Sequence, residues 1–251
     1  MRMVLFVLVA FASSLLQGTM GIGFAIIYVT LGSFLFPYLE ILVSERLLAM
    51  LFMVPVIARF RDKIRWRYIW LPLLFSVLGT RIALLVMRVF DERQLIIILG
   101  AVLTLSGVAN IVLKKEWHFK GGYVSGAVVG IVIGTIAGIC GMAGPVLAMY
   151  YLGIRELSED KDCYFATTVT LFELMGVLQT ADFLFTGYFP PNGWTLSLAG
   201  IIPTFAGMFL GLRLFNRINV GHVKKLLNWF MVIMGLFLFV SNLAKCFLLA
   251  N

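Results

Sequence analysis

Gly138-Ile139-Cys140-Gly141-Met142-Ala143-Gly144-Pro145 lies inside an apolar run that extends over 121–152. Glycines recur at three-residue spacing where a lipid-buried helix would otherwise carry Leu or Val. In lipid, glycine either lets backbones pack closely or lets a helix break so that amide groups face a cavity. Pro145 suits the first turn of a new helix, where its missing N–H costs nothing. The pattern has an echo near the N-terminus, Gly18-Thr19-Met20-Gly21-Ile22-Gly23-Phe24. Two breaks in corresponding places, one per half, point to the midplane binding site of a secondary transporter.

Composition agrees. With 61% hydrophobic and 13% charged residues, and a mean hydropathy of +1.01, the chain is not a soluble domain, since such domains carry about 25% charge. Apolar runs of about 20 residues recur from end to end, each long enough to cross a bilayer of about 30 Å. The fold class is an all-α polytopic membrane protein. The net charge of +8 gathers in short loops, as the positive-inside rule expects, and implies no nucleic-acid partner. Cys140, Cys163 and Cys246 have neither paired nor metal-ligand spacing. The first residues imitate a signal peptide, but the run continues into the glycine motif and has a counterpart at 121–137, so it is expected to be retained.

In chain order, a first apolar segment covers about 3–37, and a loop at 38–46 holds Glu40, Glu45 and Arg46. Spans follow at about 46–59, 68–88 and 94–113, with the basic stretch 59–67 between the first two. Residues 114–120 link the halves. The second half repeats the order: a glycine-rich segment at 121–152, a charged loop at 155–162, and spans at about 164–186, 195–215 and 226–248. Gly18 and Gly21 map onto Gly138 and Gly141, Trp66 onto Trp194, and Gly79-Thr80-Arg81 onto Gly211-Leu212-Arg213. An internal duplication explains this, with repeats at 1–113 and 121–248.

Charge then chooses between topologies. If each glycine-rich segment is a single crossing, Lys and Arg divide ten against nine across the membrane. If each is a hairpin returning to its starting side, they divide fourteen inside against five outside, with Arg81 left within a span. The rule prefers hairpins, which makes the halves inverted repeats: each a glycine-rich re-entrant or broken-helix hairpin plus three transmembrane helices.

Helix N-termini at such breaks present unpaired N–H groups and a partial positive charge, a ready anion site. Gln17, Gly18, Thr19, Gly21 and Gly23 in the first motif, and Gly138, Cys140, Gly141 and Gly144 in the second, are the candidate binding residues. Thr19 and Thr135 are candidate hydroxyl donors, and Cys140 reads more readily as a small apolar residue than as a reactive thiol. Arg81 and Arg213 lie within spans, and an intramembrane charge defaults to a functional hypothesis, although either side chain can snorkel to an interface. Arg81 is the better candidate for drawing in substrate. Glu173 and Asp182 are candidates for carrying a coupling proton, and Glu173 could equally pair with Arg81. Gln17, Thr167, Thr168, Thr170 and Gln179 could line a path or bond neighbouring helices. No catalytic set, metal cluster or nucleotide fingerprint appears, so no enzyme activity and no cofactor are expected.

The duplicated motifs, the Trp after the second-span loop and the glycine-rich third span together resemble the sulfite exporter TauE/SafE family of membrane permeases. Its members typically open each half with a Gly-x-x-Gly-x-Gly-Gly-like signature. The resemblance covers nearly the whole chain and implies movement of sulfite, sulfonates or related sulfur-containing anions across a plasma (inner) membrane, with export the favoured direction. The residues themselves support only a small anion. A passive anion channel, a carrier of another organic anion and a non-transporting scaffold remain open, and a homodimer is allowed.

Overall fold

The computed structural model describes residues 1–20, 23–112, 121–187, 190, 192–215 and 220–250, with side chains of the last segment described over 225–244. Gly21 lies outside the described residues. The first half contains α1 (Arg2–Met20), α2 (Phe24–Gly32), α3 (Tyr38–Phe60), α4 (Trp70–Val89) and α5 (Glu92–Val112), with short 3₁₀ turns at Arg61–Lys63 and Trp66–Tyr68. The second contains α6 (Tyr123–Cys140), α7 (Gly144–Leu152), α8 (Arg155–Ser158), α9 (Lys161–Phe185), α10 (Gly193–Leu214) and α11 (Val220–Ala250). Eight of these helices are long and apolar enough to cross a membrane: α1, α3, α4, α5, α6, α9, α10 and α11. At nine residues each, α2 and α7 reach only about 14 Å.

The two glycine motifs interrupt the helices. Gly23 has φ +123° and Gly141 φ +72°, a region that side-chain-bearing L-residues enter at a cost of about 1–2 kcal/mol. Gly141 is the left-handed cap of α6, its N–H donating to Ala137 O at 2.9 Å. Beyond each break the chain turns back along the helix it has left. Phe6, early in α1, meets both Tyr28 and Phe36 edge-on at 5.6 Å between centroids. In the second half a Cβ placed on Gly126, early in α6, would stand 3.5 Å from the Tyr150 hydroxyl on α7.

Small residues set the helix pairing. Gly130, Gly134 and Gly138 of α6 lie against Pro72, Ser76 and Ala83 of α4, so these two helices run parallel. Gly18 of α1 lies against Gly211 of α10, and Ser14 against Gly207, again parallel. In two other pairs the helices run antiparallel. Gly100 of α5 abuts Phe239 of α11 while Gly107 abuts Asn228, and Phe60 of α3 meets Phe165 of α9 while Met50 meets Thr180. The pairing scheme therefore maps onto itself when the halves are exchanged. Lipid offers no hydrophobic drive between helices, so close glycine contacts of this kind carry the association. The outward faces are apolar, with Leu74, Ile202 and Phe237 among the exposed side chains.

At one end of the molecule the segment after α3 meets the start of α9 and the end of α10. Lys63 pairs with Asp160 at 3.2 Å, Arg65 with Glu156 at 2.9 Å, and Lys161 Nζ donates to Phe215 O at 3.0 Å. Asp160 caps α9, accepting from the amides of Asp162 and Cys163. The Cys163 thiol, the Cys163 amide and Lys63 together hold its carboxyl well below the usual carboxylate range.

One boundary differs from the sequence expectation. Residues 38–46 are not a loop: α3 begins at Tyr38, after Pro37, and both Glu45 and Arg46 are buried within it. Adjacent charges following a proline read as an interface. Here the cost of burying Arg46 is offset by carbonyls 91 and 92 residues away in sequence.

Candidate functional site

The last carbonyl groups of α6, where a helix runs out of its own amide donors, are bonded from α3, and Ala137 O accepts from Arg46 in addition to the Gly141 amide. Arg46 Nη2 donates to Ala137 O at 2.6 Å and to Gly138 O at 2.9 Å, and the Tyr38 hydroxyl donates to Ile139 O at 2.5 Å. A cation at a helix C-terminus also meets the negative end of the dipole. The guanidinium lies over the Phe183 ring, 4.2 Å from its centroid, and Nη1 is buried without a hydrogen-bond partner. The first break is tied by Gln17, whose Oε1 accepts from the amide of Phe24 at 3.1 Å.

Between these two ends lies a cavity of about 80 Å³, several times the roughly 10–15 Å³ that admits one water. Its wall includes both breaks: Gly23 to Ile26 on one side and Gly141 to Gly144 on the other. It also includes Glu45, Arg46, Met50 and Met53 of α3, and Phe172, Glu173, Gly176 and Gln179 of α9. The cavity therefore sees the first turns of α2 and α7, whose leading amides have no partner within their helices. Proline at position 145 removes one donor from the α7 turn and leaves those of Gly144 and Val146. Glu45 sits beside the second break, its Oε2 3.5 Å from where a Cβ on Gly141 would stand. Glu173 is 8% exposed, and its Oε2 is buried without a hydrogen-bond partner.

Of the residues singled out in the sequence, Gln17, Gly23, Gly141, Gly144, Glu173 and Gln179 line this cavity. Others take part in packing. Gly18 lies against α10 and Gly138 against α4. Thr19 donates back to Leu16 O and Thr135 to Ile131 O and Gly79 O. Cys140 is fully buried in the last turn of α6 and outside the lining. Thr167 accepts from the Arg65 amide, and Thr170 donates to Ala166 O. Arg81 is away from the cavity: its side chain is 58% exposed and pairs with Asp182 at 2.7 Å. The partner of Arg81 is thus Asp182, with Glu173 unpaired. Arg213 is exposed and lies over Phe209. Among the described residues no group of His, Cys, Asp and Glu is arranged to hold a metal ion.

Arg46 and Glu45 are the residues that sequence reasoning missed. Each is flanked by apolar stretches, Ile41 to Val43 before and Leu47 to Val54 after. Reading Pro37 as the helix start, instead of the charged pair, would have placed both charges inside the span.

The family described as Sulfite exporter TauE/SafE matches residues 5–238 of the chain. The chain belongs to the TauE/SafE family. Neither a curated protein nor a solved structure matches it. Membership in this family of membrane permeases, together with the eight apolar helices, makes the TauE/SafE chain a multi-pass membrane transport protein.

Proposed function

We propose that this TauE/SafE protein is a secondary transporter that moves small oxyanions, sulfite and short sulfonates foremost, out of the cell across the plasma membrane by alternating access around the cavity. The observation that carries this is the shared lining. Both glycine breaks, two helix N-termini and Arg46, the one Lys or Arg of the wall among the described residues, line one cavity. Sulfur oxyanions as the cargo follow from the family's description.

The running directions of the helices support inverted repeats. The equivalent pairs α5 with α11 and α3 with α9 are antiparallel, whereas α1 with α10 and α4 with α6 are parallel. The fold-back at each break supports reading each glycine-rich segment as a hairpin. The contacts that bring 61–65, 155–161 and Phe215 to one end put the basic segments together, as the positive-inside rule requires of a cytoplasmic face. Cysteines introduced at Arg61 and at Asn192 would react with impermeant reagents from opposite sides of the membrane; labelling from one side would remove the inversion.

Transport itself is tested by counterflow. Proteoliposomes loaded with unlabelled ethanesulfonate or sulfite are expected to accumulate the labelled anion transiently and saturably. Flux that rises without saturation and shows no counterflow would assign a channel instead. No uptake of either anion would contradict the proposal.

A further inference from the structure

The cavity that we read as the anion site carries an awkward charge. Among the described residues its wall contains one cation, Arg46, and two carboxyl groups, Glu45 and Glu173. With all three ionised the wall is already net negative before any cargo arrives. Bringing in an anion would place three or more negative charges around one guanidinium inside the protein. Buried charges without partners are costly even after relaxation, and a carboxyl group in such a place takes up a proton in preference to remaining charged.

The two carboxyl groups are not equivalent. Glu45 is next to Arg46 in the chain and stands beside the second break. Glu173 projects from α9, and among the described residues no Lys, Arg or His nitrogen lies within 4.0 Å of it. Its Oε2 is buried with no hydrogen-bond partner. The charged groups on the elements packed against α9 offer it little. From α3, Glu45 and Arg46 line the same space. From α4, Arg81 is engaged by Asp182 on the outer side. Tyr150 and Tyr151 of α7 are outside the lining. The charges of α8 and of the turn at 61–65 meet the first turn of α9, where Lys63 and Arg65 are taken by Asp160 and Glu156.

We infer that a proton enters this cavity with the anion and that the carboxylate of Glu173 is the group that accepts it. The inference rests on the anion-site reading of the cavity. The step is a simple protonation: a proton from water adds to the Glu173 carboxylate, the anion binds against Arg46 and the helix N-termini, and both leave together on the other side. A monoanion then crosses without net charge. A divalent anion crosses as a single negative charge, which an inside-negative potential pushes outward.

The test uses the full chain purified in detergent and in proteoliposomes, with ethanesulfonate as the probe because its sulfonate stays a monoanion across the working range. Binding by the wild type is expected to weaken with rising pH, approaching about tenfold per pH unit once Glu173 ionises freely. An inward ethanesulfonate gradient is expected to acidify the lumen, read by a trapped pH dye. Glu173→Gln should bind the anion at every pH with the slope gone, and transport it without moving protons. Asp182→Asn, at a residue paired with Arg81 away from the cavity, should keep both the slope and the proton signal. Wild-type binding that is independent of pH, or a proton signal that survives Glu173→Gln, would overturn the inference. So would loss of that signal in Asp182→Asn alone. Failure of ethanesulfonate and sulfite alike to bind the wild type at any pH would instead sink the anion-site reading itself.

Discussion

Replacing Arg46 with glutamine separates binding from folding. The guanidinium makes two hydrogen bonds, at 2.6 and 2.9 Å, to the last carbonyls of α6, and lies 4.2 Å over Phe183. A charge-assisted hydrogen bond contributes about 1.5–3 kcal/mol and a desolvated cation–π contact about 2 kcal/mol. Against these stands the several kcal/mol that burying the cation costs, which the substitution removes, and glutamine can restore one of the two bonds. The net loss of stability is therefore modest, about 1–3 kcal/mol. Binding responds differently. An anion 4 Å from the guanidinium gains about 4 kcal/mol at an effective dielectric of 20, nearly three factors of ten. Arg46→Gln should thus weaken binding of labelled ethanesulfonate or sulfite by about 10²–10³-fold, while unfolding followed by tryptophan fluorescence moves by only several degrees. Arg46→Lys keeps the charge but loses the planar fork, and should fall between, near tenfold. Binding by a folded Arg46→Gln protein within about threefold of wild type would refute the electrostatic role.

Three further expectations follow from the same geometry. Gly141→Ala forces a side chain into φ +72° with Leu42 3.0 Å from the new Cβ; a stability loss of about 1–2 kcal/mol and weaker anion binding are expected in melting and binding assays, and an unchanged protein would argue against the break as drawn. Arg81→Gln removes a pair whose cation is 58% exposed; stability should change by less than about 1 kcal/mol and counterflow should persist, so a loss like that of Arg46→Gln would move the site. Asp160→Ala removes the cap of α9 and the Lys63 pair, at about 1 kcal/mol near neutral pH. Because the folded carboxyl titrates below its unfolded value, its contribution is present above about pH 4 and fades as pH falls, so the wild-type and variant melting curves should converge in acid.

Much of the architecture was legible because lipid punishes irregular backbone so heavily. Gly141 and Pro145 inside an apolar run admit few structures, and the structure breaks the helix there. The same spacing rule could not tell break from contact. Gly18 and Gly138 look like members of the hairpin tip, yet they lie against α10 and α4, and only the three-dimensional partner distinguishes the two uses. Arg81 read as an intramembrane charge because position along the span is visible in sequence and facing is not. Ser76, Gly79, Thr80 and Ala83 turn toward the interior and leave Arg81 on the opposite side. Arg46 was hidden for the converse reason: what makes its burial tolerable is the C-terminal end of a helix from the other half.

The site itself is tested most directly by locating a heavy oxyanion in the full-length protein. Selenite, the heavier analogue of sulfite, can be found by its anomalous scattering in crystals of the complex. Density is expected in the cavity, within hydrogen-bond reach of Arg46 and of amides at the start of α2 or α7. Density confined to Arg81, Arg213 or the basic end near Lys63, with the cavity empty, would mean that the anion does not bind at the glycine breaks.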